Sequence, residues 1–312
     1  MIVKRNFNLL KVLSYVWPGV LAATLLSLIG WGWFVQTGGK SLVIPFAPLG
    51  VMGTALAIFL GFRNNNAYAR WWEARTAWGN ILIMSRVLAR QIGASIGNAQ
   101  AVGKVDAQKL THFQREMVLR QIAFAHALRL HLRNQTDWHT LQPLLSGDEY
   151  AALLARINKP NALLQTQSNR LKDGVREEML GAFDPISLEP SLVALNNQQG
   201  AVERLKTTPL PRQYEYFTRV FLWAFLILLP FSLLSLFNTI QTAWLTVPVS
   251  LVLGFVYTVV NETGAALENP FENTINDVPM TTLCNTIERD LRDMLGDTDL
   301  PPALSPQNGY LF

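Results

Sequence analysis

The sequence predicts an all-α, multi-pass membrane protein with four membrane helices and a helical water-exposed region. Three observations lead there. Only 15% of the 312 residues are charged against 50% hydrophobic, where an ordinary soluble domain carries about 25% charged residues. Four stretches cross, or nearly cross, a hydrocarbon core about 30 Å thick. The polar remainder shows helical periodicity and weak strand signals.

The first span runs from about Val12 to Val35, without charge, and Pro18 with several Gly residues suggests a bent or broken helix. The second, Val43 to Phe62, is also uncharged. The third and fourth, Val220 to Phe237 and Ala243 to Val260, form a tight hairpin interrupted by Asn238, Thr239, Gln241 and Thr242. Lys4, Arg5 and Lys11 before the first span imitate a signal peptide, but the apolar run exceeds an h-region, so it is read as retained.

Sidedness follows from Lys and Arg. The N-terminal arm has three, the first loop one (Lys40), the segment Arg63 to Arg219 twenty, the second hairpin none and the tail two, Arg289 and Arg292. Both termini and the long segment therefore belong in the cytoplasm. The chain divides into 1–62, the arm and first two spans; 63–219, a cytosolic helical region; 220–260, spans three and four; and 261–312, a cytosolic C-terminal segment.

Within 63–219, Leu110, Phe113, Met117, Ile122, Phe124, Leu128 and Leu132 recur at helical spacing among Arg115, Arg120, Arg129 and Arg133, marking an amphipathic helix. Ser146 and Glu149 form a capping-box signal for a helix through Arg156; Pro160 fits the first turn of the next, and Gly174 its end. Asp184-Pro185 opens a further helix toward Leu205. The segment carries 20 basic and 13 acidic residues and the tail after Val260 carries 2 and 9, so the two can dock on each other or simply present solvated faces.

Chemistry-bearing motifs are missing. His112, His126, His131 and His139 make no HExxH and no i, i+4 pair, and one Cys, Cys284, excludes an intrachain disulfide or a CxxC zinc site. There is no P-loop, GxGxxG or GxSxG, and the pairs Glu177-Glu178 and Asp148-Glu149 read as exposed. No cofactor, metal or enzymatic activity is expected. The +4 net charge is spread by topology rather than clustered, which argues against nucleic acid. No span contains an ionisable residue, which disfavours a proton-coupled transporter but leaves a passive pore open.

The second span continues into Arg63-Asn64-Asn65-Asn66 without a breaker, so one helix over about 43–78 is expected to leave the bilayer toward the cytoplasm. Thr54, Ile58 and Phe62 share one face. In several copies around an axis they would form stacked rings that gate by excluding water. From periodicity alone a lipid-facing or core helix is the more economical account.

Leu60-Gly61-Phe62-Arg63-Asn64-Asn65, Tyr68-Ala69-Arg70-Trp71-Trp72-Glu73-Ala74-Arg75, Trp78-Gly79, Glu268-Asn269-Pro270-Phe271 and Asn276-Asp277-Val278-Pro279 together resemble the bestrophin family, particularly its bacterial members. The resemblance runs from the first span to about Leu295. It implies a homopentameric channel around one axial pore, in a bacterial inner membrane, with lipids, permeant ions and its own copies as partners. It further implies a hydrophobic neck at Ile58 and Phe62 with Thr54 outermost, where an aliphatic residue is usual, and so a wetter outer level. Asp184-Pro185-Ile186 matches the family's cytosolic constriction at Ile186.

Arg70, Trp71, Trp72, Glu73, Asn269, Pro270, Phe271 and Asp277 carry the structural motifs. Pro270 is expected to end the helix after the fourth span and Phe271 to anchor the tail. The run Glu272 to Asp277 offers too few oxygens for the calcium clasp of animal bestrophins. Asp184 and Glu189 flank Ile186, and bacterial relatives resemble cation channels, so monovalent cations are the expected permeant ions. An anion channel of the same architecture, a carrier for a small organic ion and a membrane scaffold recruiting a soluble partner are the alternatives.

Overall fold

The structure, a computed structural model, describes residues 1–4, 9–39, 43–103 and 105–312. Arg5, Lys40 and Lys104, three of the charges used to orient the spans, lie outside them. Nine α-helices are described: α1 (Leu9–Gln36), α2 (Phe46–Val102), α3 (Ala107–Leu132), α4 (Gly147–Leu154), α5 (Lys159–Arg176), α6 (Asp184–Thr207), α7 (Arg212–Leu236), α8 (Thr246–Glu268) and α9 (Met280–Met294). Among the described residues the only β-pairing is isolated bridges, Ile2 and Gln307 each opposite Tyr310. The chain is an all-helical multi-pass membrane protein, with α1, α2, α7 and α8 long and apolar enough to span.

The chain forms two compact units. A membrane unit contains Lys4–Trp71 and Pro209–Asn269; a polar helical unit contains Met1–Val3, Trp72–Thr208 and Pro270–Phe312. The units divide at Trp72, Pro209 and Pro270 because helices α2, α7 and α8 run past the apolar stretches.

In the membrane unit, Leu49, Leu56 and Leu60 of α2 pack with Ala23 of α1 and with Leu222, Phe225, Leu226, Leu229 and Leu233 of α7, while Val249, Leu253 and Tyr257 of α8 close the cluster. Helix α1 passes through Pro18 without interruption. Of the bent or broken helix expected there, the break does not occur; proline is tolerated inside membrane helices.

The polar helical unit is organised by capping. Asp106 accepts from the Gln108 N–H, Ser146 from the Glu149 N–H and Asn158 from the Asn161 N–H, starting α3, α4 and α5. Helix α4 stops at Leu154, two residues before Arg156. Gly174 does not end α5. It lies two residues inside the helix, where a Cβ would stand 2.8 Å from the Phe113 ring; the reversal comes at Glu178, in the left-handed region at φ 58°.

The apolar face expected on α3 is buried from Leu110 to Leu132, but Arg120, assigned to its solvent face, is buried with it. Its guanidinium donates to Glu149, to Glu116 at 2.7 Å and to Gln167 at 3.3 Å. Burial works against its charge, but the two carboxylates outweigh it and raise the pKa. Glu149 is therefore not an exposed member of an acidic pair.

Trp78 is fully buried in the core. Helix α9 buries Met280, Leu283, Cys284, Ile287 and Leu291, one stripe at helical spacing. The tail's acids reach the basic segment of the same chain: Asp290 pairs with Arg86, Asp297 with Arg115 at 2.6 Å and Glu272 with Lys206 at 2.7 Å.

Hydrogen bonding from His126 and Arg292 holds the Glu288 carboxyl below its ordinary 4.5, and Arg115 does the same for Asp297 below 3.8. A depressed folded-state pKa contributes stability above the unfolded value and loses it as pH falls through the folded one. Acidification below about pH 4 should therefore loosen α9, read as faster amide exchange across Met280–Met294. Burial pushes the Cys284 thiol up to about 12. At pH 8 a maleimide should label it only after denaturation.

Candidate functional site

Helix α2 is one continuous helix with two unlike faces. Leu56, Leu60, Arg63, Ala67 and Ala74 are buried, and so are Ile81, Ser85 and Leu88 further along. The opposite face is exposed over the same length at Thr54, Ile58, Phe62, Asn65, Ala69, Trp72, Thr76 and Ile83. Ile58 and Phe62 are 55% and 64% exposed. The three residues expected in the neck therefore share one uncovered face of the protomer. Thr54 donates its hydroxyl back to the Gly50 carbonyl at 3.0 Å, which directs its only donor away from that face.

The rotation of α2 is set by Arg63, one residue beyond Phe62. Its side chain is 5% exposed; it donates to Asn261 Oδ1 at 2.8 Å and stands 3.7 Å from the Glu268 carboxylate, both on α8. Glu268 also lies 3.7 Å from Arg212, and its carbonyl accepts from Arg70 at 2.8 Å. Asn64 donates to the Val260 carbonyl at 2.8 Å. Gly264 makes room for it: a Cβ there would sit 1.9 Å from Asn64 Oδ1. Two motifs nearly two hundred residues apart thus meet as one contact. Asn261 and Gly264 were not candidates from the sequence; the signal for the pairing was an Arg at the end of one uncharged span and lone acids at the end of another.

The other motif residues divide by role. Glu73 pairs with Arg204, while Trp72 is 56% exposed and Tyr68 stacks on Trp71 with ring centroids 6.3 Å apart. Helix α8 ends at Glu268 with Asn269 as its cap, the Pro270 carbonyl accepts from the Val278 N–H at 3.1 Å, and Phe271 is buried. Asp277 is buried and accepts from the Thr274 hydroxyl. Among the described residues no group of three His, Cys, Asp or Glu side chains is arranged to hold a metal. In the polar helical unit, Ile186 is 71% exposed in the first turn of α6 beside exposed Phe183.

The profile described as Bacterial/Fungal Bestrophin protein matches residues 7–293. The chain belongs to the bestrophin family. It is 32% identical over 278 residues to the Voltage-dependent anion channel-forming protein YneE of Escherichia coli, covering 89% of this chain and 85% of that one. The YneE protein of Salmonella typhi is 31% identical over 303 residues, covering 96% and 93%. Among solved structures, a bacterial bestrophin homologue from Klebsiella pneumoniae superposes with a TM-score of 0.79 at 30% identity, covering 90% of this chain and 98% of that one. The chain is thus a bestrophin-type ion-channel protein, not an enzyme.

The Gly264 contact is testable as a pair. Gly264→Ala should lower the melting temperature of the purified protein by displacing Asn64. Adding Asn64→Ala should restore part of the loss, giving a coupling of about 0.5–3 kcal/mol between the two sites. Strictly additive losses would mean that the crowding at Asn64 is not what the alanine disturbs.

Proposed function

We propose that copies of this chain surround a common axis with the Thr54–Ile58–Phe62 face of α2 turned toward it, forming a passive ion channel. The supporting observation is that face itself: two large apolar side chains stand uncovered while the next residue, Arg63, is locked onto α8. Rings of Ile58 and Phe62 would form a neck that resists wetting. Ile186 is the candidate for a second constriction. The family resemblance supports five copies, and the charge count supports termini in the cytoplasm of an inner-membrane protein.

On selectivity the anion alternative has more support than the cation reading expected from Asp184 and Glu189. The curated relatives carry names as anion channel-forming proteins. The two carboxylates are also partly engaged within the protomer, Asp184 accepting from the Gly181 N–H at 2.8 Å and Glu189 from the Ser168 hydroxyl at 3.0 Å. The net charge of +4 has the sign that concentrates anions. The relatives' names also include voltage dependence. No span holds a charged residue to act as its sensor, so a voltage response here would have to arise at the pore or the membrane boundary.

In planar bilayers under a salt gradient, the reversal potential should move toward the chloride potential; movement toward the potassium potential would reinstate cations. Replacing Ile58 and Phe62 together by Ala should raise open probability or leak, because two apolar rings are removed from the neck. Unchanged current in that double variant would return both residues to lipid-facing packing.

A further inference from the structure

The turn that carries Ile186 has few ties of its own. Helix α6 opens at Phe183 without a side-chain cap, and Pro190 stands inside it, four residues after Ile186. Any other residue there would return an N–H to the Ile186 carbonyl; proline has none to give. The Asp184 carboxylate turns back to accept from the Gly181 N–H at 2.8 Å, and the Ser187 hydroxyl donates to the Asp184 carbonyl at 2.8 Å. Both bonds stay within the turn and its approach, so neither fixes where the turn stands on the rest of the unit.

That fix comes from α2. The Gln91 side-chain amide spans the opening of α6: its Nε2 donates to the Ser187 carbonyl at 3.0 Å, and its Oε1 accepts from the Ser191 hydroxyl at 2.7 Å. Ser187 and Ser191 lie one turn apart on the same face of α6, and Ser191 is buried. Leu188, next to Ser187, is fully buried as well. Ile186 precedes Leu188 by two positions, about 200° round the helix, and it stands exposed. The turn is thus held at two points, the Leu188 side chain and the Gln91 amide, and Ile186 projects free of both. An amide suits this clasp because it donates and accepts at once; a carboxylate could not donate to Ser187, and a thioether offers only a weak acceptor.

We propose that Gln91 is a positioning residue for the second constriction: by clamping the first turn of α6 it fixes how far Ile186 reaches toward the axis. The inference rests on the reading of Ile186 as that constriction. Gln91 itself need touch no permeant ion. An isoleucine on a clamped turn excludes a bulky ion, whereas one on a loosened turn yields to it, so the clasp sets the size of ion that passes.

The measurement is the permeability of a bulky ion relative to a small one, from reversal potentials in planar bilayers. Sodium propionate against sodium chloride and N-methylglucamine chloride against sodium chloride together read a permeant ion of either sign. Ile186→Ala should raise the ratio and serves as the reference. Gln91→Met keeps the length but loses the donor and the strong acceptor, so it should move the ratio toward that reference. Ser191→Ala removes one bond only, leaves α2 untouched, and should move it part of the way. In an Ile186→Ala background Gln91→Met should add nothing, because the side chain it positions is gone. A residue that merely packs α6 on α2 would lower the melting temperature and leave the ratio alone. Ratios unchanged in Gln91→Met and Ser191→Ala while Ile186→Ala raises it, or additive changes in the double variant, would overturn the role of Gln91 and leave the constriction standing. A ratio unchanged in Ile186→Ala would overturn both.

Discussion

The membrane unit depends on one buried charge. Arg63 is almost completely withdrawn from the surface at the end of an uncharged span, and a guanidinium so placed is tolerable only with its donors matched. Asn261 and Glu268 supply that match, and both lie on α8. Turning α2 by one residue would put the guanidinium on the outward face and leave the buried Glu268 carboxylate without it. The rotation of the helix is therefore fixed by electrostatics rather than by apolar packing, which Leu56 and Leu60 alone would leave looser. Successive helical residues are about 100° apart, so the same lock that buries Arg63 presents Phe62, and through it Ile58 and Thr54, on the uncovered side.

An uncovered apolar face has different meanings in different solvents. In acyl chains Ile58 and Phe62 would cost nothing. Facing a continuous column of water they would forfeit about 1.5–3 kcal/mol each relative to burial. A narrow apolar ring avoids that cost by emptying, and this is the physical basis of gating by dewetting. The inward-turned hydroxyl of Thr54 bears on the same balance. A threonine whose donor is already committed to the Gly50 carbonyl offers that face a methyl group and residual acceptor capacity, so in a neck built from this face the outer level would be less wet than its residue type alone implies.

Much of the fold could be read from composition and punctuation. The four spans, the cap at Ser146, Pro160 in the first turn of α5, and the helix opening at Asp184-Pro185 are local signals, written within a turn or two of the feature they specify. What escaped was non-local. Arg120 sits in a polar-face position of its own helix, and only Glu149, brought by a different helix, makes its burial affordable. Gly174 carries a helix-ending signal but serves the approach of Phe113. The uncovered face of α2 was visible as periodicity, yet periodicity does not say whether lipid, a neighbouring copy or an ion path covers it. The Arg63–Asn261 contact, which sets which side of α2 is covered within the protomer, joins residues on two different spans, and the sequence held it only as separate motifs.

The division of charge argues for a tail that is held rather than free. The segment 63–219 is strongly basic and the tail strongly acidic, and exposed pairs such as Arg86–Asp290 contribute little individually, about 0–1 kcal/mol. What docks α9 is its apolar stripe; the ion pairs fix its register on α2 and α3.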